Sequence, residues 1–201
     1  MTHKSLFEIP NIITPLEITA LLNYYYCFGT DSVVFSIEET PFYFIIDRLK
    51  ERFGDVGVRA SFIESRKSPL RVHSDFSIGL RNKYNLKDND NYPYYSTLIP
   101  LSYQVDMYTV VFNEASVTPM GSSQEYCHLP KINTEFTDFE IKLLSHVSSG
   151  LLKKLSIKKI FNWRPGTASC WPITLLHCSG DFDSKLSERI WLSIWLDIKC
   201  P

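Results

Sequence analysis

The stretch Arg71-Val72-His73-Ser74-Asp75-Phe76 lies within a run, Leu70 to Ile78, whose residues predict a β-strand. Successive side chains of a strand point to opposite faces, so we expect His73 and Asp75 to point the same way, into one cavity. An imidazole nitrogen and a carboxylate oxygen suit one divalent iron, and a second imidazole completes a facial set of three ligands. The stretch therefore predicts two ligands of a metal centre inside a β-rich core.

His177 is the expected third ligand, because it is the histidine that ends an apolar strand, predicted from Ala168 to His177. His3 lies near the amino terminus, His128 in an irregular segment and His146 on the apolar stripe of a predicted helix. An H-x-D pair occurs often by chance. The prediction therefore depends on His73, Asp75 and His177 together.

Arg189 begins a nearly continuous apolar run, Ile190 to Leu196, where an unpaired cation is costly to bury. We therefore expect it to have an anionic partner. A guanidinium binds a carboxylate through two parallel hydrogen bonds, so a dicarboxylic cosubstrate could chelate the metal at one end and meet Arg189 at the other. The alternative is a surface salt bridge with Glu188 or Asp197.

The composition predicts one soluble domain. The chain has 201 residues, of which 44% are hydrophobic and 21% charged, enough to bury a sizeable core. A formal charge of -1 gives no electrostatic argument for binding nucleic acid or an anionic membrane. The sequence shows no secretory leader pattern and no apolar span of membrane length. The cysteines are odd in number and irregularly spaced, which favours reduced thiols in the cytoplasm. Oligomeric state is left open.

The chain divides into an N-terminal helical region, about 1–55, and a β-rich core, about 56–201, that contains an insertion at about 114–155. Thr14-Pro15-Leu16-Glu17 predicts a helix from Pro15 to Tyr26, and Thr40-Pro41 a second one that ends at Gly54. Within the insertion, an amphipathic helix is expected from Glu135 to Leu155. The fold class is therefore α+β, mainly β, with the N-terminal helices packed on one sheet.

A polar loop is predicted from Arg81 to Pro93, close to the metal, where it could act as a lid.

The order H-x-D, then histidine, then arginine twelve residues later resembles the 2-oxoglutarate and Fe(II)-dependent oxygenases. Phe7 to Leu22 is similar to the strand and T-P-x-E helix that open the prolyl-hydroxylase-like branch. The turn Trp163 to Gly166 and the segment Pro172 to Ser179 look like the surroundings of the distal histidine. Arg189 and the residues after it look like the cosubstrate-binding strand.

This resemblance implies a double-stranded β-helix, or jelly-roll, core in a single dioxygenase domain spanning 1–201. It implies Fe(II) held by the catalytic ligands His73, Asp75 and His177, and 2-oxoglutarate bound through Arg189. It also implies an oxidoreductase that uses dioxygen and releases succinate and carbon dioxide, most simply a hydroxylase of a small molecule, an amino acid or a protein side chain. Family members that halogenate have a small residue in place of Asp75, so hydroxylation is favoured.

Two other interpretations stay open. A cupin-like metalloenzyme without 2-oxoglutarate would use Arg189 to hold the substrate's own carboxylate, and a non-catalytic jelly-roll binding module would need no metal. The residues that assist the arginine are also undecided, because strand register cannot be derived from the sequence to one residue. The candidates are Tyr94, Tyr95, Thr97 and Ser193.

Overall fold

The computed structural model describes residues 6–29, 31–75, 94–103, 106–116, 129–132, 134–182 and 188–198. Its helices and strands follow one another along the chain in this order: β1 (Phe7–Ile9), α1 (Pro15–Tyr26), β2 (Ser32–Phe35), α2 (Phe44–Phe53), β3 (Val56–Arg66), β4 (Tyr94–Pro100), β5 (Tyr108–Ala115), α3 (Asp138–Leu143), α4 (Ser149–Leu152), β6 (Ile157–Asn162), β7 (Ala168–Pro172), β8 (Leu175–Ser179) and β9 (Arg189–Ile198).

The described strands form two antiparallel sheets. The large sheet has six strands in the order β1-β7-β4-β9-β3-β2, and the small sheet has three in the order β6-β5-β8. The predicted mainly β architecture is confirmed, and two such sheets are compatible with a jelly roll. No helix in the described part of the chain is long and apolar enough to cross a membrane.

Helix α1 has the predicted bounds. The Thr14 hydroxyl accepts a hydrogen bond from the Glu17 backbone, the Glu17 carboxylate accepts one from the Thr14 backbone, and Pro15 occupies the first turn. Helix α2 begins at Phe44, later than predicted, because a 3₁₀ helix, Ile37–Glu39, and a turn precede it. It ends at Gly54, whose φ of 80° suits glycine.

Strand β9 shows how the large sheet separates two environments. Its even-numbered residues from Ile190 to Ile198 belong to the core shared with α1 and α2. The opposite face, which carries Arg189, Trp191, Ser193 and Trp195, lines an internal cavity. All ten residues of the strand are buried, so the sheet is covered on both sides here.

Two predicted strands differ from the structure. The run Ala168 to His177 forms two strands, because the chain leaves the large sheet after Pro172, which has no N–H for the ladder, and enters the small sheet at Leu175. Residues 70–75 make a single β-bridge, at His73, instead of a strand, and 76–78 lie outside the described residues.

The predicted helix from Glu135 to Leu155 is also divided, into α3 and α4. Thr137 caps α3, and Ser148 then starts α4 in an extended conformation, so the serine-rich segment between them favours a turn over a continuous helix. The predicted loop Arg81 to Pro93 lies outside the described residues. The described cysteines, Cys27, Cys170 and Cys178, are unpaired.

An ion pair joins the two N-terminal helices. Arg48 of α2 donates from both terminal nitrogens to the two Glu17 carboxylate oxygens, each at 2.8 Å, and also to the carbonyl of Ile12 at 2.7 Å. The hydrogen bond from Arg48 holds the pKa of Glu17 at about 2, against the opposing effect of burial. Glu17 thus caps α1 and fastens it to α2 at the same time.

We expect Glu17→Gln to lower the free energy of unfolding by about 1 kcal/mol at neutral pH, because both side chains are partly solvated. The pKa of Glu17 is about 2 in the folded chain and near 4.5 when unfolded, so its contribution is present above pH 4.5 and is lost as pH falls toward 2. Urea unfolding at pH 7 and pH 3 measures both effects. Glu135→Gln, at an exposed position, is the control.

Candidate metal centre

Two backbone hydrogen bonds bring His73 next to His177. The amide of His73 donates to the carbonyl of His177 at 2.9 Å, and the amide of His177 donates back at 2.8 Å. Residues paired in this way across antiparallel chains direct their side chains to the same side. The imidazole rings consequently lie with centroids 4.3 Å apart, although the residues are about a hundred positions apart in sequence.

Each imidazole is held by a carbonyl from its own segment. His73 Nδ1 lies 2.6 Å from the carbonyl of Arg71, and His177 Nδ1 lies 3.1 Å from that of Leu175. A carbonyl oxygen only accepts hydrogen bonds, so each Nδ1 carries a proton, and in the neutral ring each Nε2 presents a lone pair. This is the tautomer that a metal ligand requires.

Asp75 completes the group. Its Oδ1 lies 3.6 Å from Nε2 of His73 and 3.5 Å from Nε2 of His177. The ligand atoms of the three residues all lie within 4.8 Å of one another. Two ligands at right angles on a first-row metal are about 3 Å apart, so a small contraction around a cation would bring these donors into its coordination sphere. The donor set fits a divalent iron.

The protonation states favour a cation as well. Burial lowers the pKa of His73 to about 4, so this ring is neutral near pH 7. Burial opposes ionisation of Asp75, but His177, His73 and a hydrogen bond from the Ser96 hydroxyl hold its pKa at about 2. Burial also opposes the charge on His177, yet the neighbouring Asp75 raises its pKa. Asp75 is therefore a fixed carboxylate, and a metal ion would replace the proton that Asp75 draws to His177 as its balancing charge.

The three residues line a cavity of about 240 Å³ between the two sheets. Its walls include Trp171, whose ring centroid lies 4.9 Å from that of His177, and its buried indole Nε1 has no hydrogen-bond partner in the described part of the chain. Trp191 and Trp195 also line the cavity. A mostly apolar cavity with a few convergent polar groups is typical of a ligand site.

Arg189 lines the same cavity and is 2% exposed. Its guanidinium carbon lies 3.7 Å from the centroid of the Trp163 ring, and its Nε has no hydrogen-bond partner among the described residues. The predicted alternative, a surface salt bridge, is not seen in the described chain, where Asp197 pairs with Arg59 instead. Burial lowers the pKa of Arg189 to about 9, so it stays cationic at neutral pH.

The structure also separates the candidates for assisting Arg189. Tyr95 belongs to the helix-side core and the Thr97 hydroxyl contacts the Cys170 thiol, so both lie on the face of the large sheet away from the cavity. Tyr94 packs against a small cluster around Trp195. Ser193 lines the cavity, where its hydroxyl accepts a hydrogen bond from the Trp191 indole.

Two cavity residues, Ser96 and Glu64, were not anticipated from the sequence. Ser96 donates to Asp75, and Glu64 lines the cavity from strand β3. The alternation of side chains along a strand could have placed Ser96 and Thr97 on different faces of the sheet. It could not have shown that Ser96 contacts Asp75, because Asp75 belongs to an irregular segment.

Comparisons with known proteins support the fold. No protein-family model matches the chain, and no curated protein matches it either. Among solved structures, HygX from Streptomyces hygroscopicus with iron bound is 14% identical, has a TM-score of 0.59, and is matched over 96% of this chain and 82% of its own. The alpha-ketoglutarate-dependent epimerase SnoN from nogalamycin biosynthesis has a TM-score of 0.56 at 9% identity, with coverages of 98% and 82%.

A third similar structure is the viral collagen prolyl hydroxylase vCPH from Paramecium Bursaria Chlorella virus-1, with a TM-score of 0.52 at 11% identity, matched over 97% of this chain and 96% of its own. The chain therefore has the fold of iron- and 2-oxoglutarate-dependent enzymes, and the predicted resemblance is confirmed at the level of structure.

We expect Ser96→Ala to weaken Fe(II) or Ni(II) binding about tenfold, because the hydrogen bond that orients Asp75 is lost. Isothermal titration under anaerobic conditions measures this effect. Thr97→Val is the matched control, since it removes a neighbouring buried hydroxyl on the opposite face of the sheet. Equal metal affinity in both variants would contradict the role of Ser96.

Proposed function

We propose that this protein is a non-heme Fe(II)- and 2-oxoglutarate-dependent dioxygenase. Iron would be held by His73, Asp75 and His177, and 2-oxoglutarate by Arg189. The observation that carries the proposal is that one cavity contains both a His-Asp-His group and a buried guanidinium that no described carboxylate neutralises. Each group needs a ligand of opposite charge, and a chelating dicarboxylate with iron supplies both.

Similar structures carry the proposed ligands. HygX has been solved with nickel and 2-oxoglutarate, at a TM-score of 0.56, and SnoN with Fe³⁺ and alpha-ketoglutarate, at 0.55. The His-Asp-His donor set of this chain leaves three positions of an octahedron open, which suits a bidentate cosubstrate and dioxygen.

Arg189 is suited to the far carboxylate of the cosubstrate. The Trp163 ring stacks on its guanidinium, which is buried, so the orientation of the guanidinium is fixed before a ligand arrives. The Trp163 indole is itself fixed by a hydrogen bond of 2.9 Å to the Thr109 hydroxyl. A carboxylate in this position would balance a cation whose burial is otherwise unfavourable.

When iron and 2-oxoglutarate are bound, they supply oxidative decarboxylation to succinate and carbon dioxide, coupled to oxidation of a substrate. The protein's residues orient these groups and keep bulk water away. Hydroxylation is the outcome we propose, since Asp75 fills the ligand position that halogenating members leave open. Enzymes of this fold also include an epimerase and a carbocyclase, so product analysis is the appropriate readout.

The proposal extends to the architecture. We assign the two sheets to a double-stranded β-helix within a single domain spanning 1–201, in which the N-terminal helices support the large sheet. The helical layer stabilises the strands behind Arg189.

We expect anaerobic addition of Fe(II) and 2-oxoglutarate to the purified protein to produce a visible metal-to-ligand charge-transfer band. Asp75→Gly should lose the band or weaken it strongly while its far-ultraviolet circular dichroism stays the same, because one of three iron ligands is gone. If wild type binds Fe(II) but gives no band, the cupin-like alternative is favoured. If it binds no metal, the binding-module alternative is favoured.

We expect Arg189→Met to weaken 2-oxoglutarate binding about 100-fold or more and to leave Fe(II) affinity unchanged. Without cosubstrate the variant should unfold at no lower temperature than wild type, because methionine removes a buried charge and keeps the packing. Thermal shift with and without 2-oxoglutarate tests both points. Arg164→Met, at an exposed arginine outside the cavity, is the control. A wild-type-sized shift in Arg189→Met would contradict the assignment.

A further inference from the structure

The face of the large sheet that forms the cavity carries one more charged group between the metal centre and the rim. Glu64 lies on β3, directly opposite Trp191 of β9 and Ser32 of β2 in the strand register. Its side chain lines the cavity, and it has no hydrogen bond or ion pair with a described residue. A half-buried carboxylate without such a partner is unfavourable unless a ligand supplies one.

The position of Glu64 lies along the direction of entry. Lining residues near β4 and β7, such as Ser96 and Trp171, are buried, whereas those near the edge strand are exposed, with Val34 at 59%. Glu64 stands between these two ends. Burial raises the pKa of Glu64, the charge of Arg66 opposes this, and Asp75 of the candidate metal centre raises it slightly further.

Among the described residues that line the cavity, Glu64 makes no ion pair. Iron would take Asp75 and the cosubstrate would take Arg189. The remaining charged lining residues are Glu64 and Arg66, and Arg66 is exposed at the rim and makes no ion pair with Glu64. Among the described lining residues, Glu64 is therefore the anion of the interior that is left without an ion-pair partner.

Aromatic groups lie beside the carboxylate. Phe62 precedes Glu64 by two residues on the same face and packs edge-on against Trp195, with ring centroids 5.5 Å apart. Aromatic faces next to a carboxylate favour an organic cation, because the ring quadrupole and the charge act in the same direction.

We propose that Glu64 binds a positively charged group of the substrate, so that the substrate of this cavity is an amine or a guanidine. The inference rests on the proposed function only for the identity of the cavity as the site of substrate oxidation. The carboxylate anchors the cation, and the attached carbon skeleton extends from Glu64 toward the metal centre.

A pair of probes of equal shape tests the proposal. Binding of cyclohexylamine and of cyclohexanol is measured by tryptophan fluorescence, since Trp191 and Trp195 line the cavity. The titrations are done on metal-free protein and again with Fe(II) and 2-oxoglutarate without oxygen. A failure to bind Fe(II) and 2-oxoglutarate would contradict the proposed function only. The difference in affinity between amine and alcohol tests the role of Glu64.

We expect wild type to bind the amine roughly tenfold more tightly than the alcohol, and Glu64→Gln to lose that preference with unchanged alcohol affinity. Glu64→Asp should keep the preference, and Glu64→Lys should prefer cyclohexanecarboxylate. Glu135→Gln, at an exposed glutamate, should behave as wild type. Thermal unfolding checks that each variant folds. If Glu64→Gln does not fold, Glu64→Asp and Glu64→Lys decide the question.

Two results would overturn the proposal. The first is an equal affinity of wild type for amine and alcohol. The second is an unchanged preference for the amine in folded Glu64→Gln or Glu64→Lys, which would assign the preference to Asp75 or another group.

Discussion

The reciprocal backbone hydrogen bonds between His73 and His177 are the constraint on which the candidate site depends. They attach an irregular segment to the edge of the small sheet at one pair of residues, and so they place two imidazoles side by side. The carbonyls of Arg71 and Leu175, each two residues earlier, then set the orientation of both rings. Backbone hydrogen bonds therefore form the candidate metal centre.

The cavity buries charged and polar groups, which has an energetic cost. It contains the buried cation Arg189, the carboxylates Asp75 and Glu64, and the indole N–H of Trp171. Unbalanced buried charges lower stability, and the apolar core between the large sheet and the two N-terminal helices offsets this cost. Side chains alternate along β9, so one face of the strand packs against the helices and stabilises the fold. The other face lines the cavity.

The parts of the fold that local signals govern were predictable. Helix α1 has the predicted bounds because a capping box and a first-turn proline define its start, and β9 contains the continuous apolar run from Ile190 to Leu196. One of the predictions that were wrong involves a choice between sheets. The segment from Ala168 to His177 is uniformly apolar, so its composition does not reveal that the chain changes sheets after Pro172.

The sequence by itself determined the chemistry available: an H-x-D pair, a later histidine and an arginine in an apolar strand. It could do so because residue type and short-range spacing are local properties. Only the tertiary structure decided that His73 meets His177, that Ser96 supports Asp75 and that Glu64 shares their cavity. These contacts join segments far apart in the chain, and their register depends on pairing and sheet packing that no local pattern encodes.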